Sequence, residues 1–255
     1  MKRFADVMCV TILAAGLAGV TGPCLGADAA SWSYAGNTGP AKWGKLNKEF
    51  ALCGTGTLQS PIDIADKDVR KGDLPALLFN YKPSPLRIVD EGHTLQINYA
   101  PDSWVTVNGK RYELVSIEFH KPSEQKINGK GQEMEADLLH KDKDGKIVII
   151  AVQLDAGGEN PVLKTVWNNL PTSKGKEQVV NTVTINALGL LPKDKGYYSY
   201  TGSLTAPPCT ENVQWYVLKK PIEVSPDQIA RFGRLYPMNA RPPQPRNDRD
   251  IVGTP

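Results

Sequence analysis

Two short segments hold the residues with the most chemistry in this chain: Ser116-Ile117-Glu118-Phe119-His120 and Glu133-Met134-Glu135-Ala136-Asp137-Leu138-Leu139-His140. Both have the alternation of a β-strand, in which residues two apart share a face. Glu118 and His120 then point one way, Ile117 and Phe119 the other. In the second segment Glu135, Asp137 and Leu139 share a face, and His140 points away from them. As neighbouring strands, the two would gather Glu118, His120 and Asp137 into an O, N, O donor set able to hold a divalent metal. The plainer alternative is a solvated strand face with a satisfied histidine, and spacing alone favours it. With three histidines in the whole chain, a histidine-rich metal site has little to draw on.

Other chemical signatures are missing. The sequence has no G-x-S-x-G, no H-E-x-x-H, no P-loop and no dinucleotide fingerprint. Asp142-Lys143-Asp144-Gly145 resembles the start of a calcium loop, but its spacing is short and the closing Glu is absent, so it reads as a charged hairpin turn.

The elements that must position these residues are mostly strands. Runs suited to strands recur between turn signals at Leu86–Val89, Thr94–Tyr99, Trp104–Val107, Tyr112–His120, Glu133–His140, Ile147–Leu154, Val179–Ile185, Tyr197–Tyr200 and Val213–Leu218. Asn108-Gly109 is a hairpin signal, and Asn128-Gly129 and Asp144-Gly145 mark further turns. Ile147–Leu154 is apolar at nearly every position, which predicts a central strand buried on both faces. Short helices are expected at Pro161–Asn169 and Pro226–Leu235, the second after the N-cap Ser225. Residues 30–57 read as loops and short helical turns. No repeat or linker divides the chain, and 23 Gly and 20 Pro suit a turn-rich β protein of one domain.

Composition narrows the partners. Lys+Arg 30 against Asp+Glu 27 leaves a net charge of +3, too balanced for a nucleic-acid binder that works by neutralising phosphates. Lys2 and Arg3, an apolar stretch from Val7 to Val20 and Ala27-Asp28-Ala29 read as a secretory signal over residues 1–29, cleaved before Ala30. The apolar stretch is too short to span a bilayer, and Thr21, Gly22 and Pro23 before Cys24 are not a lipobox. The expected product is a domain over residues 30–255, periplasmic or secreted, with no membrane association once the signal is removed. It keeps Cys53 and Cys209, an even pair that reads as a disulfide in an oxidising compartment. The closed loop would exceed 150 residues, worth about 5 kcal/mol in the chain-entropy model.

Several motifs together resemble the α-carbonic anhydrases. They are Trp32-Ser33-Tyr34, Gly39-Pro40 with Trp43-Gly44, Gln59-Ser60-Pro61-Ile62-Asp63-Ile64, Gly92-His93-Thr94, and Phe119-His120 with Pro122-Ser123-Glu124. Gly202 to Glu211 (GSLTAPPCTE) and Asn239-Ala240-Arg241-Pro242-Pro243-Gln244 extend the match from about Trp32 to Arg249. The resemblance implies a mostly β domain built around a large, twisted, mainly antiparallel sheet with short peripheral helices. It implies reversible hydration of carbon dioxide to bicarbonate by hydroxide held on zinc. It casts His93 as the proton shuttle, Thr205 and Glu124 as the pair that orients the hydroxide, and Tyr34 as a residue that orders the water chain. Leu139, Ile149, Leu204, Val213 and Trp215 become the apolar wall that holds carbon dioxide, and Cys53–Cys209 the disulfide of exported members.

The family's zinc ligands are three histidines, in F-H-F-H and E-x-H-L-x-H. Here the matching positions are Glu118, His120 and Asp137, so two imidazoles are replaced by carboxylates. Glu135 matches a residue that accepts an N–H from the third ligand histidine, a donor that Asp137 lacks. Ser116 replaces the glutamine that supports the first ligand. Two carboxylates formally cancel a divalent charge, which weakens the ion as a Lewis acid, and both are shorter than imidazole, which opens the cage or favours another metal. Two functions follow as expectations. One is a slow carbonic anhydrase with an alkaline-shifted pH profile and a Glu/His/Asp metal site. The other is a metal-free, inactive relative that binds an anion, a saccharide or a protein.

Overall fold

The computed structural model describes residues 31–255; the signal read over residues 1–29, with Cys9 and Cys24, lies outside the described residues. Fifteen strands are found among the described residues. The first eight are β1 (Asp63–Ile64), β2 (Val69–Lys71), β3 (Leu78–Asn80), β4 (Ser84–Asp90), β5 (Leu95–Asn98), β6 (Trp104–Val107), β7 (Lys110–His120) and β8 (Lys126–Ile127). The rest are β9 (Met134–Lys141), β10 (Ile147–Ala156), β11 (Gln178–Ile185), β12 (Tyr197–Ser203), β13 (Glu211–Leu218), β14 (Ile222–Val224) and β15 (Ile251–Gly253). Helices are short: α1 (Trp43–Leu46), α2 (Leu52–Thr55), α3 (Pro161–Trp167) and α4 (Pro226–Leu235), with 3-10 turns between.

Thirteen strands form one mixed sheet whose main path runs β11-β4-β5-β7-β9-β10-β13-β12-β15-β2. Most pairs are antiparallel, while β10 pairs in parallel with β13 and β14, and β15 with β2. β10 is the central strand, buried from Val148 to Leu154, and the continuous apolar run explains why: a strand covered on both faces has no polar side to present. The β6–β7 hairpin turns at Asn108-Gly109, where both residues take positive φ (50° and 74°), the backbone of a type I′ turn that Gly enters without a Cβ clash.

The two faces of the sheet differ. One is covered by α3 and α4: Phe119 of β7 meets Trp167 edge to face at 5.1 Å, and Trp167 stacks on Phe232 at 5.7 Å. This is the larger core, joined by Ile117, Leu138, Ile150 and Val152. α4 starts as its sequence directs, with Ser225 Oγ accepting the Gln228 N–H and the Gln228 side chain accepting the Ser225 N–H. α3 is capped by Asn160 and ends at Trp167, two residues before the expected Asn169, because Asn168 and Asn169 close it in a turn. The other face holds a smaller apolar cluster of Ile62, Ile64, Ile149, Ala151, Tyr200, Val213 and Trp215. Cys53 and Cys209 are bonded and buried, and tie α2 to the loop before β13.

His140 ends on the helix-covered face, fully buried, and shares a 2.7 Å hydrogen bond with the Tyr81 hydroxyl. Burial holds it neutral and lowers its pKa to about 3. Because the folded value lies below the unfolded one, its contribution to stability is complete above about pH 6.5 and is lost as the pH falls towards 3. We expect His140→Gln, which keeps a partner for Tyr81 but cannot titrate, to flatten the acid limb of urea-melt stability. The gain relative to the parent should reach about 2–3 kcal/mol between pH 6.5 and 4.5; parallel limbs would contradict the assignment.

Candidate active site

The β7–β9 register sets the site. Glu118 pairs with Asp137, His120 with Glu135 and Ser116 with Leu139, so all six side chains share the face opposite α3 and α4. The same row continues through Ile149 of β10 to Trp215 of β13. A cavity of about 180 Å³ opens on this face, lined by Glu118, Asp137, Leu139, Ile149, Leu204 and Thr205, with Ala206 and Pro207 at its edge. It has an acidic end at β7–β9 and an apolar wall at β9–β10. Val213 and Trp215 stand behind the wall in the cluster that includes Ile149. A larger groove of about 570 Å³ lies at the far ends of β7 and β9, around Lys110, Glu113 and Asp142, away from these residues.

His120 is oriented by the chain's C-terminal part. Its Nδ1 donates to the Asn239 carbonyl at 2.9 Å, so Nε2 carries the lone pair, and Nε2 lies 3.8 Å from Asp137 Oδ2. Asn239 also accepts the Lys121 N–H at 2.7 Å and donates from Nδ2 to the carbonyls of Phe119 (2.9 Å) and His93 (3.0 Å). One buried amide thus fixes the end of β7 and the loop that holds His93. The His120, Glu124 and Asp137 ligand atoms all lie within 4.8 Å of one another. Glu124, however, approaches the Nδ1 edge of the ring at 3.7 Å, and its Oε1 accepts the Arg241 backbone N–H at 2.7 Å. It therefore faces the side of His120 that has no lone pair; Glu118, the expected third donor, lies outside this group and is joined to Asp137 only as part of the cavity lining.

Electrostatics agree with crowded buried negative charge. Burial raises the pKa of Asp137 well above the carboxylate range, with Glu135, Glu124 and Glu118 adding to it. Burial also raises Glu135, helped by Glu124, and raises Glu118 despite the opposing pull of His120. Burial disfavours charge on His120, yet Glu124, the Asn239 carbonyl, Glu118 and Glu135 outweigh it and raise its pKa. Tyr34 is raised by burial and then by Glu124, Glu118 and Asp137, which places it within range of the same charges. Asp137 Oδ1, Glu135 Oε1 and Glu124 Oε2 have no hydrogen-bond partner among the described residues. Asp137 and Glu135 are close enough to share a proton, which raises Asp137 further; with that proton released, oxygens beside an imidazole lone pair are of a type that can hold a divalent cation.

The remaining expected residues fall around this centre. Glu135 Oε2 accepts the Gln125 N–H at 3.0 Å, and Ser116 is buried opposite Leu139. Thr205 borders the cavity, but among the described contacts it makes no hydrogen bond to Glu124, whose Oε1 is taken up by Arg241. His93 stacks on Trp32 at 3.7 Å, and its Nε2 meets the Trp32 carbonyl at 2.7 Å. Asn239 and Arg241 were in the tail motif but not among the expected site residues: a motif names residue types, and their roles arise from contacts 119 and 117 residues away in sequence. Gln96, opposite Glu118 on β5, gave no signal at all.

A mostly β domain built on one large mixed sheet, with a cavity and an apolar wall on one face, is the architecture that the resemblance to the α-carbonic anhydrases implied. A family model described as eukaryotic-type carbonic anhydrase matches residues 38–254. A carbonic anhydrase of a Nostoc species is 42% identical over 236 residues, covering 91% of this chain and 89% of its own. The α-carbonic anhydrase of Thermovibrio ammonificans, solved with sulfanilamide, has a TM-score of 0.84 at 40% identity and covers 88% of this chain and 99% of its own. A dioscorin solved with ascorbate has a TM-score of 0.82 at 32% identity, covering 88% and 97%. The chain belongs to the eukaryotic-type carbonic anhydrase family.

Asn239→Ala would leave the Lys121 N–H and two carbonyls unpaired in a buried place. We expect it to lower unfolding stability by about 2–4 kcal/mol in urea melts. Metal affinity should fall about 10–100-fold as the His120 support loosens. A variant within about 0.5 kcal/mol of the parent would show that the clamp contributes nothing.

Proposed function

We propose that this chain is an exported carbonic anhydrase that hydrates carbon dioxide reversibly and slowly, with Glu118, His120 and Asp137 holding a divalent metal. The observation that carries the reading is the single cavity in which Glu118 and Asp137 meet the apolar residues Leu139, Ile149 and Leu204. Zinc is the ion the family implies. When bound, it supplies Lewis acidity that lowers the pKa of water, less strongly here because two carboxylates offset its charge.

The chain's own residues divide the remaining work. Leu139, Ile149 and Leu204, backed by Val213 and Trp215, offer carbon dioxide a dry apolar surface and exclude competing water. Thr205 lines the same cavity as that wall and the acidic end, in place to orient a reacting oxygen, and the Glu124 carboxylate is the acceptor the resemblance assigns to it. His93 has Nε2 engaged by the Trp32 carbonyl, which leaves Nδ1 as the ring atom that takes up and releases a proton. Tyr34, kept neutral by burial and by the acidic centre, serves as a hydrogen-bond partner for water and not as a base. Export to the periplasm or medium, with a domain over residues 30–255, is supported by the buried Cys53–Cys209 bond. Among the described residues no helix is long and apolar enough to cross a membrane.

A second reading, a metal-free binding protein, is favoured by one feature: Glu118 and Asp137 lie directly opposite each other in the ladder, which a protonated pair tolerates without any ion. The dioscorin solved with ascorbate supports the idea that this architecture can hold a small organic molecule. Stopped-flow hydration assays separate the two. We expect a slow rate that rises towards alkaline pH and vanishes in Glu118→Ala and His120→Ala. Glu118→His with Asp137→His should raise zinc affinity and rate at least about a hundredfold. No rate at any pH with any supplied metal would leave the binding reading, and a double variant that stays metal-free would refute the ligand account.

A further inference from the structure

We propose that the cavity beside β7 and β9 is a binding site for a short primary aliphatic amine in its ammonium form, held by Glu118 and Asp137. The inference rests on the reading of that cavity as the functional site, whether or not a metal is held there.

Three observations lead to it. The first is charge. Glu118 and Asp137 line the cavity, and no lysine, arginine or histidine joins them in the lining. Glu135 and Glu124 stand behind, bonded to the backbone N–H groups of Gln125 and Arg241. Against these four carboxyls stands the imidazole of His120, 3.8 Å from Asp137 Oδ2. The Arg241 guanidinium turns elsewhere, to Gln59 and the carbonyls of Ser60 and Cys53. The cavity therefore disfavours an anion and favours a cation.

The second is unmet acceptors. Asp137 is 5% exposed, its Oδ1 has no hydrogen-bond partner among the described residues, and its Oδ2 is beyond hydrogen-bond reach of His120. A proton shared with Glu135 satisfies one of these oxygens and leaves the other. A primary ammonium carries three N–H donors. Glu118, Asp137 and the Thr205 hydroxyl, all in the lining, supply three acceptors.

The third is the shape of the remainder. Leu139, Ile149, Leu204, Ala206 and Pro207 complete the lining, aliphatic throughout. With no aromatic face, it lacks the surface on which quaternary ammonium groups are recognised, whereas an alkyl chain loses water against it. The volume of about 180 Å³ equals the liquid share of about six waters, room for an ammonium with a tail of about four carbons.

The test is isothermal titration calorimetry of the mature chain after chelator treatment, at one mildly alkaline pH, with n-butylammonium chloride. Its comparators are n-butanol, butanoate and tetramethylammonium chloride, which lack in turn the charge, its sign and the N–H donors. The expected result is saturable millimolar binding of n-butylammonium, at least about tenfold tighter than any comparator. Glu118→Gln and Asp137→Asn, both near-isosteric, should each weaken it at least about tenfold. Because a variant can fail to fold, the comparator series on the parent chain decides by itself. Binding no tighter than tetramethylammonium or n-butanol, or an affinity unchanged in both folded variants, would overturn the inference. A zinc titration of the same sample separates it from the proposed function. Zinc binding without amine binding overturns the amine site and leaves the metal reading standing, and amine binding without zinc binding does the reverse.

Discussion

Everything at this centre depends on one constraint, the register that sets Glu118 against Asp137 and His120 against Glu135 across β7 and β9. Like charges directly opposite in a ladder oppose pairing, and a low-dielectric interior magnifies the penalty. Three carboxyls here respond by holding protons more tightly than usual, and His120 does the same. The sheet cannot slip to relieve the conflict. A one-residue shift would turn Phe119 and Leu138 out of the larger core and drive the acids into it. The packing that stabilises the fold is therefore what compels the acids to face one another, and either a proton or a bound cation would relieve the conflict without breaking the ladder.

The surroundings suit that arrangement. Asn239 aligns His120 by its carbonyl and fixes the end of β7 by its side chain. Arg241 engages Glu124 through its backbone N–H, while its guanidinium reaches Gln59, Ser60 and the Cys53 carbonyl. The tail, the disulfide region and the acidic centre are thus one hydrogen-bonded unit. Burying so many polar groups is costly unless each is satisfied. Among the described residues, three of the five buried carboxylate oxygens without a hydrogen-bond partner, on Glu124, Glu135 and Asp137, lie at the site; the other two, on Glu113 and Asp142, lie at the far ends of β7 and β9.

Much of this was legible in the sequence for physical reasons. Each of the nine alternating or apolar runs became a strand, because a period of two over several residues records which face is buried. Ile147–Leu154 announced its central place by having no polar face, and Ser225-Pro226 announced the start of α4. The short strands β1, β2, β3, β8, β14 and β15 were not foreseen: two or three residues carry no period, and their pairing depends on distant partners. At the site, face sharing by Glu118 and His120, and by Glu135, Asp137 and Leu139, followed from alternation alone. That the two strands are neighbours in this register, that Asn239 orients His120, and that Arg241 takes a Glu124 oxygen all arise from tertiary contacts that local pattern does not encode.

The central claim is that this register builds a cation site from Glu118, His120 and Asp137. Its most direct test is the metal content of the chain, purified without chelator and measured by mass spectrometry for all divalent metals against protein concentration. The account predicts close to one metal per chain. Essentially none, even after zinc and manganese have been supplied during refolding, would contradict it and show that the opposed acids are accommodated by protons alone.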